Sequence, residues 1–517
     1  MNAIGFKNFR NFVEFPMLQI NGVTIFVGGN NAGKSTCTMA YRLLSNNLLK
    51  IISGAPIDED AMTFGTHNFD FSSVCGDFAR ALSRYADSKI IDFNIKLGYF
   101  DISLQIAAPR DKQSTHANVV SIVIKDIIDD CSWIWNSNDK DNTLFRYSGH
   151  TLAQIARLLE LRINSLSEEQ KAKVNERYLS IQEAILKYKR KNAIYEYRNF
   201  YRNPFDFQNC KVILDGEQTD IVPSDIKNDW NNLLQPIPLG DFKVFQDFFD
   251  GVREDLKKAC NPNNIKYFPA RESTLDSYFK INNTDPNSYA NDICKFFRLD
   301  SYNLKCWIQK MMKELEIGED FDIEKINSDF LFVTITNKNG IKVPLADNGR
   351  GAVQLFRLLM LLAMNAGIPQ NLFDFQDDSY KVVYVENQDK FFPNGKDREL
   401  SITKLLIVEE PEQNLHPKLQ SKLADMFLSL HQKYDANILV ETHSEYLVRR
   451  SQVLVAEAKY KDEKELADKC PFKVYYFPET GKGMPYEMQY STHGNFTRPF
   501  GDGFYDEADN LAMRLML

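Results

Sequence analysis

Gly28-Gly29-Asn30-Asn31-Ala32-Gly33-Lys34-Ser35 joins flexible backbone, a lysine and a hydroxyl in the order that phosphate chemistry requires. Gly28 and Gly33 let the chain curl so that successive N–H groups, from Asn30, Asn31 and Ala32 on to Thr36, point at phosphate oxygens. Lys34 reaches the β and γ phosphates, and the Ser35 hydroxyl is placed to ligate Mg²⁺. A second cluster follows far along the chain. The apolar run Leu405-Leu406-Ile407-Val408 ends in Glu409-Glu410, and two carboxylates at a strand end can divide the labour. Glu409 would hold Mg²⁺ directly or through water, and Glu410 would act as general base on the attacking water. Asn437-Ile438-Leu439-Val440-Glu441-Thr442-His443 repeats the format, an apolar strand delivering a polar end, and sets His443 toward the γ-phosphate or that water. ATP and Mg²⁺ are the expected ligands.

These residues need elements to hold them. Val23-Thr24-Ile25-Phe26-Val27 reads as the strand before the phosphate loop, and helix-compatible sequence follows it. Further on, Ile91 to Leu97 and Phe100 to Leu104 alternate as a hairpin. A capping box, Ser165-Leu166-Ser167-Glu168, precedes Val174, Tyr178, Ile181 and Ile185 at helical spacing. The core pattern resumes at Ile265-Lys266-Tyr267-Phe268-Pro269-Ala270-Arg271, and Lys473-Val474-Tyr475-Tyr476-Phe477 is the clearest strand of the tail. The expected organisation is a split α/β head: 1–110 with the phosphate loop, a largely helical insertion at 111–262, a second half at 263–450 with the acidic strand and His443, and a small β-rich extension at 451–517. The fold class is α/β, a mixed sheet with flanking helices.

A chain of 517 residues exceeds one ordinary core, so two or three lobes are expected. Its hydrophobic fraction of 44% and charged fraction of 26% are those of a globular protein and argue against disorder. The net charge of −8 excludes a generally basic surface and confines any nucleic-acid contact to a patch. One such stripe exists. Lys187, Lys189, Arg190, Lys191, Arg198 and Arg202 interleave with Tyr188, Tyr195, Tyr197, Phe200 and Tyr201, so cations could meet phosphates while rings stack on bases of DNA or RNA; ordinary helix packing explains the same pattern. Eight cysteines are scattered without metal-ligand spacing, which reads as reduced thiols and a cytoplasmic setting. No apolar run is long enough to span a membrane and no signal core opens the chain, so no membrane partner is expected.

Between the two chemical clusters, Asp347-Asn348-Gly349-Arg350-Gly351-Ala352 leads into an apolar helix. Together with the phosphate loop and Glu409-Glu410-Pro411-Glu412-Gln413-Asn414-Leu415-His416-Pro417, it resembles the ABC-class ATPases of the RecF, SMC and OLD type. The opening Phe6-Lys7-Asn8-Phe9-Arg10-Asn11-Phe12, the run Glu441-Thr442-His443-Ser444-Glu445, and the closing Gly494 to Glu507 look like the compact AAA ATPases of bacterial antiphage defence, the Septu type included. The resemblance implies an ABC-type head that forms a homodimer or higher oligomer around sandwiched ATP. Asn348, Gly349 and Gly351, with Arg350 adding charge, would then meet the γ-phosphate bound to the other copy. It also implies that Arg10 lies near the nucleotide, that Arg271 is an interface or structural residue, and that a separate effector subunit, a nuclease or toxin, is controlled. Two departures stand out: Glu409 replaces the usual aspartate, and the signature serine has no counterpart. A RecF-like DNA-maintenance ATPase and a non-hydrolysing ATP-bound scaffold are the alternatives.

Overall fold

The computed structural model describes residues 2–53, 68–109, 114–137, 143–148, 150–151, 193–198, 210–214, 217–219, 252–270, 276–281, 288–369, 404–479, 483–501, 505 and 513–514. The chain divides into two compact units. The first gathers Met1–Gln19, Met39–Pro262 and Asn387–Ile402; the second gathers Ile20–Thr38, Asn263–Glu386 and Thr403–Leu517.

In chain order, β1 (Asn2–Phe9) and β2 (Phe12–Ile20) open the first unit and β3 (Val23–Gly28) belongs to the second. The first unit continues with β4 (Asn68–Asp70), β5 (Ile90–Leu97), β6 (Phe100–Ala107), β7 (His116–Asp126), β8 (Cys131–Asn136), β9 (Thr143–Ser148), β10 (Ala193–Arg198), β11 (Cys210–Leu214) and β12 (Glu217–Thr219). Its sheet runs in the order β12-β11-β10-β9-β8-β7-β6-β5-β1-β2, with β4 paired to β7. The expected hairpin forms, with Leu97 opposite Phe100 and Gly98 at φ 58 in the turn. Alternation sorts the faces: Ile91, Phe93 and Ile95 of β5 are buried, while the residues between them are half-exposed. Rings close that core, Phe6 stacking on Phe15 at 4.2 Å and Phe9 meeting Phe93 edge-on at 5.2 Å.

The stretch 111–262, expected to be largely helical, contributes strands β7 to β12 and a helical segment at 252–259 where it is described. The reason is visible in Val119, Ile122 and Ile124 and in Trp133 and Trp135, β-branched and aromatic residues buried along strands. The capping box and the helical spacing around Val174 to Ile185 lie outside the described residues, as do Lys187, Lys189, Arg190, Lys191, Arg202 and Arg271. Arg198 ends β10.

The second unit is built on a six-stranded sheet. Its members besides β3 are β13 (Ile265–Phe268), β18 (Leu405–Glu409), β19 (Asn437–Glu441), β20 (Phe472–Phe477) and β21 (Tyr486–Glu487), in the order β13-β18-β19-β3-β20-β21. All pairs are parallel except β20 with the edge strand β21. Every residue of β3 and β19 is buried, as a parallel sheet covered on both faces requires. A smaller antiparallel sheet holds β14 (Tyr278–Lys280), β15 (Asp320–Lys325), β16 (Phe330–Thr336) and β17 (Lys342–Pro344), ordered β14-β16-β15 with β17 on β16.

Among the described residues the helices include, in chain order, α1 (Lys34–Ser53), α2 (Phe78–Ala81), α3 (Tyr289–Leu299), α4 (Tyr302–Glu314), α5 (Arg350–Asn365), α6 (Pro417–Tyr434), α7 (Glu445–Glu457) and α8 (Glu463–Lys469). α5 buries Val353, Phe356, Leu359 and Met360, at i, i+3, i+6 and i+7 spacing. Arg357 on the same helix pairs with Asp292 of α3 at 3.0 Å, both largely buried, and lies over the Tyr289 ring.

The stretch 451–517, expected as a small β-rich extension, holds both helix and strand where it is described. It continues α7, adds α8, and then gives β20 to the main sheet beside β3, with Val474 opposite Ile25 and Phe477 opposite Gly28. β3 is thereby paired on both edges, which removes an open edge from the strand that carries the phosphate loop.

Candidate active site

Parallel pairing sends β3, β18 and β19 to one carboxyl edge, where open α/β sheets bind ligands. β3 ends in Gly28, whose φ of 150 is a glycine conformation and whose Cβ, if present, would stand 2.4 Å from the Phe477 carbonyl oxygen of β20. Asn31 at φ 60 and Gly33 at φ 96 continue the curl into α1. Asn30 and Asn31 are exposed, whereas Ala32 and Thr36 are buried.

Lys34 is buried, and its ammonium spends three donors nearby: on the Gly28 carbonyl at 2.9 Å, the Gly29 carbonyl at 3.0 Å and His443 Nε2 at 3.2 Å. Burial lowers its pKa, while the charges of Glu441, Glu410 and Glu412 pull the other way. His443 is held below the ordinary histidine value by burial and by Lys34, so the imidazole is neutral at pH 7 and accepts from the ammonium. The His443 backbone N–H donates to Glu412 Oε1 at 2.7 Å. Glu412 is itself buried, which raises its pKa, and its Oε2 has no hydrogen-bond partner among the described residues.

Glu410 turns the chain out of β18 at φ 43, its N–H donating to the Glu441 carbonyl at 2.7 Å. Gln413 donates to the Glu410 carboxylate, and Asn414 at φ 59 completes the turn. Glu409 stands directly beside Glu441 across the β18–β19 pair. Glu441 is only 3% exposed, and its Oε2 accepts the Ser35 hydroxyl at 2.8 Å. Its pKa is pushed up to about 7, first by burial and then by Glu409, against the hydroxyls of Thr38 and Ser35 and the charge of Lys34.

The expected site residues therefore fall into three groups. Lys34, Ser35, Glu410 and His443 come together, with Glu409 beside Glu441. Asn348, Gly349, Arg350 and Gly351 form the N-terminus of α5. There Asn348 Nδ2 donates to the Pro344 carbonyl at 2.9 Å, Gly349 caps the helix through its backbone alone, and Gly349 and Arg350 are exposed. Gly351 faces the loop after Glu410, where a Cβ would meet the Asn414 carbonyl oxygen at 2.5 Å, and Gln354 accepts from Asn414 at 3.2 Å. Arg10 belongs to the first unit, in the β1–β2 turn at φ 53, with its N–H on the Ala81 carbonyl and its guanidinium lowering the Cys75 pKa against burial. Sequence reasoning passed over Glu412, Gln413 and Glu441 as site residues. Glu441 had a signal, being the only carboxylate of a strand already read as delivering polar groups.

Residues 1–448 match the family model described as "AAA ATPase domain". No curated protein matches the chain. Among solved structures, the chain is similar to the SMC head bound to the C-winged helix domain of ScpA, with a TM-score of 0.34, 8% identity, and coverage of 94% of this chain and 97% of that one. It is also similar to the SMC head domain from Thermotoga maritima, at TM-score 0.30, 8% identity and the same two coverages. A third is the Smc head domain with an extended coiled coil bound to the C-terminal domain of ScpA from Pyrococcus furiosus, at TM-score 0.31 and 8% identity, with both chains covered in full. No helix among the described residues is long and apolar enough to cross a membrane.

Proposed function

The chain belongs to the AAA ATPase domain family and is an ATP-hydrolysing enzyme; from that premise we propose that it is a Mg²⁺-dependent, ABC-class ATPase of the RecF and SMC kind, which closes on ATP with a second copy. The observation that carries this reading is the meeting of Lys34, Ser35, Glu410 and His443 at one sheet edge, with Lys34 Nζ 3.2 Å from His443 Nε2. The loop's N–H groups and Lys34 bind and orient the phosphates. Glu410 takes the proton of the attacking water, held in place by Gln413. His443, neutral and fixed by Glu412, positions that water or the γ-phosphate through its ring nitrogen.

The donor set fits Mg²⁺. Ser35 is exposed, and its proton is committed to a carboxylate, which leaves its oxygen lone pairs for a hard cation. Ser35 and Glu409 would hold the ion, which when bound would neutralise phosphate charge. Asn348, Gly349, Arg350 and Gly351, at the positive end of the 16-residue α5, would serve the nucleotide of the second copy. Control of a partner follows from closure. A nuclease or toxin effector and an antiphage setting are the more specialised form of this reading, and no feature of the described residues selects it over the RecF-like one.

The test is ATP turnover of wild type beside Glu410→Gln, with and without DNA, read with molar mass from light scattering. The proposal expects the variant to bind ATP, lose turnover and accumulate as a dimer. Hydrolysis by Glu410→Gln at the wild-type rate would sink the assignment of the base. Tight ATP binding with no turnover in either protein would favour the scaffold alternative.

A further inference from the structure

We propose that Glu441, from β19, is the principal carboxylate of the divalent-cation site, and that Glu409 beside it on β18 is the outer member of the pair. This rests on the nucleotide-site reading above. It adds a ligand-side residue for Mg²⁺ that the sequence-based assignment placed on Glu409 alone.

The geometry argues it in three steps. First, the hydroxyl that serves the cation is already tied to Glu441: Ser35 Oγ donates to Oε2 at 2.8 Å, and no hydrogen bond joins Ser35 to Glu409 among the described residues. Second, the other carboxylate oxygen is committed to nothing. Glu441 is 3% exposed, and Oε1 has no hydrogen-bond partner among the described residues. A carboxylate buried with one oxygen unanswered is costly unless a cation or donor meets it. Third, the nearest cation is spent elsewhere. Lys34 has three protons, and they go to Gly28, Gly29 and His443. Thr38, whose hydroxyl lies close enough to act on Glu441, gives its hydrogen bond to the Ser35 carbonyl at 3.1 Å. A purely structural Glu441 would have both oxygens satisfied by the protein; here the free one sits beside the exposed Ser35 and across the strand pair from Glu409. Two carboxylates, a serine hydroxyl and phosphate oxygens make an all-oxygen set suited to Mg²⁺ or Mn²⁺. The placement also accounts for a glutamate where an aspartate is usual at 409: with Glu441 on the strand adjacent to β3, the β18 residue no longer carries the Ser35 contact.

The experiment uses the full chain with Mn²⁺ as the probe and a non-hydrolysable ATP analogue, following Mn²⁺ by electron paramagnetic resonance and nucleotide affinity by fluorescence, with and without EDTA. Wild type should bind Mn²⁺ only with nucleotide. Glu441→Gln, which can still accept the Ser35 proton and should melt like wild type, should weaken Mn²⁺ binding by about 10- to 100-fold and leave affinity in EDTA unchanged. Glu409→Gln should weaken it less. Mn²⁺ binding by Glu441→Gln at the wild-type level, with loss in Glu409→Gln, overturns the proposal while leaving the nucleotide site standing. Wild type that binds no nucleotide defeats the underlying reading and this one with it. As a second arm, Ser35→Ala and Glu441→Gln should be non-additive, the double variant losing little more than the worse single one. Additive losses would show two independent sites and count against the assignment.

Discussion

The phosphate-loop cluster and the turn at 348–351 carry comparable chemistry and are built in opposite ways. Around Lys34, each polar group is locked by another: lysine to histidine, histidine to Glu412, Ser35 to Glu441, Glu410 to Gln413. At the turn, the side-chain bonds of Asn348 and Gln354 and the contact of Gly351 with the Asn414 carbonyl lie behind, and the groups that could meet an anion, Gly349 and Arg350, are exposed. A cluster whose members fix one another is pre-organised for chemistry within one chain. A turn held only from behind suits a contact made with something else. The two are linked through the loop 410–415, which carries Glu410 at one end and supports α5 at the other.

The comparison breaks first at Lys34. Lys34→Ala removes the ammonium that faces the phosphates and leaves two carbonyls and His443 without their donor. ATP affinity should fall by at least about 100-fold, the scale of a buried charge contact. Titration with a fluorescent nucleotide checks this, and unchanged affinity would mean the loop holds no phosphate. Next in size is Glu410→Gln, with kcat expected to drop by about 10²- to 10³-fold at little change in ATP affinity. Rapid-quench turnover separates the two constants, and a rise in the apparent dissociation constant equal to the loss in kcat would make Glu410 a binding residue.

His443 sharpens the same side through pH. Because burial and Lys34 hold its pKa below the ordinary value, turnover at saturating Mg²⁺, which keeps Glu441 ionised, should be flat through pH 7 and fall only on the acid side of the usual histidine range, as protonation sets imidazolium against ammonium. His443→Ala should lose roughly 10- to 100-fold in kcat and abolish that acid limb. A wild-type profile that falls between pH 8 and 7 would contradict a depressed value. Gly351→Ala tests the support behind the turn. Its new methyl must displace the Asn414 carbonyl, at a cost of about 1–3 kcal/mol in stability measured by urea unfolding.

How much of this could be read from residues alone depended on whether the signal was local. The loop and the ends of β18 and β19 were legible because each is an apolar run that stops at a polar residue, and burial on both faces leaves no other pattern. The strands from His116 to Asn136 escape such a reading when the helical spacing further along the chain is extended back over them. β20 was legible as a strand but not as the neighbour of β3, since pairing between residues 23 and 472 has no local trace. The Ser35–Glu441 bond belongs to the same class. Each partner is ordinary in its own segment, and only the parallel pairing of β19 with β3 brings these two residues, 406 positions apart, together.

The smallest expected effect bears most directly on the comparison. Arg350 is exposed at the start of α5 and makes no ion pair among the described residues, so Arg350→Ala should leave the melting temperature unchanged and ATP affinity within a few tenths of a kcal/mol when the protein is dilute. What should change is the concentration dependence. If the turn serves a nucleotide held by a second copy, losing one exposed cation should weaken ATP-dependent association by roughly three- to tenfold, because a partly desolvated charge contact with phosphate contributes about 1 kcal/mol. Sedimentation at several protein concentrations, using Glu410→Gln as the background so that ATP persists, reads that shift directly. Added salt should shrink the difference between the proteins with and without the Arg350→Ala change, as it would for any interfacial charge reaching a phosphate. Equal loss of ATP affinity at every protein concentration would place Arg350 on its own chain's nucleotide, and the turn would then be an outlying part of the pre-organised cluster with no separate role.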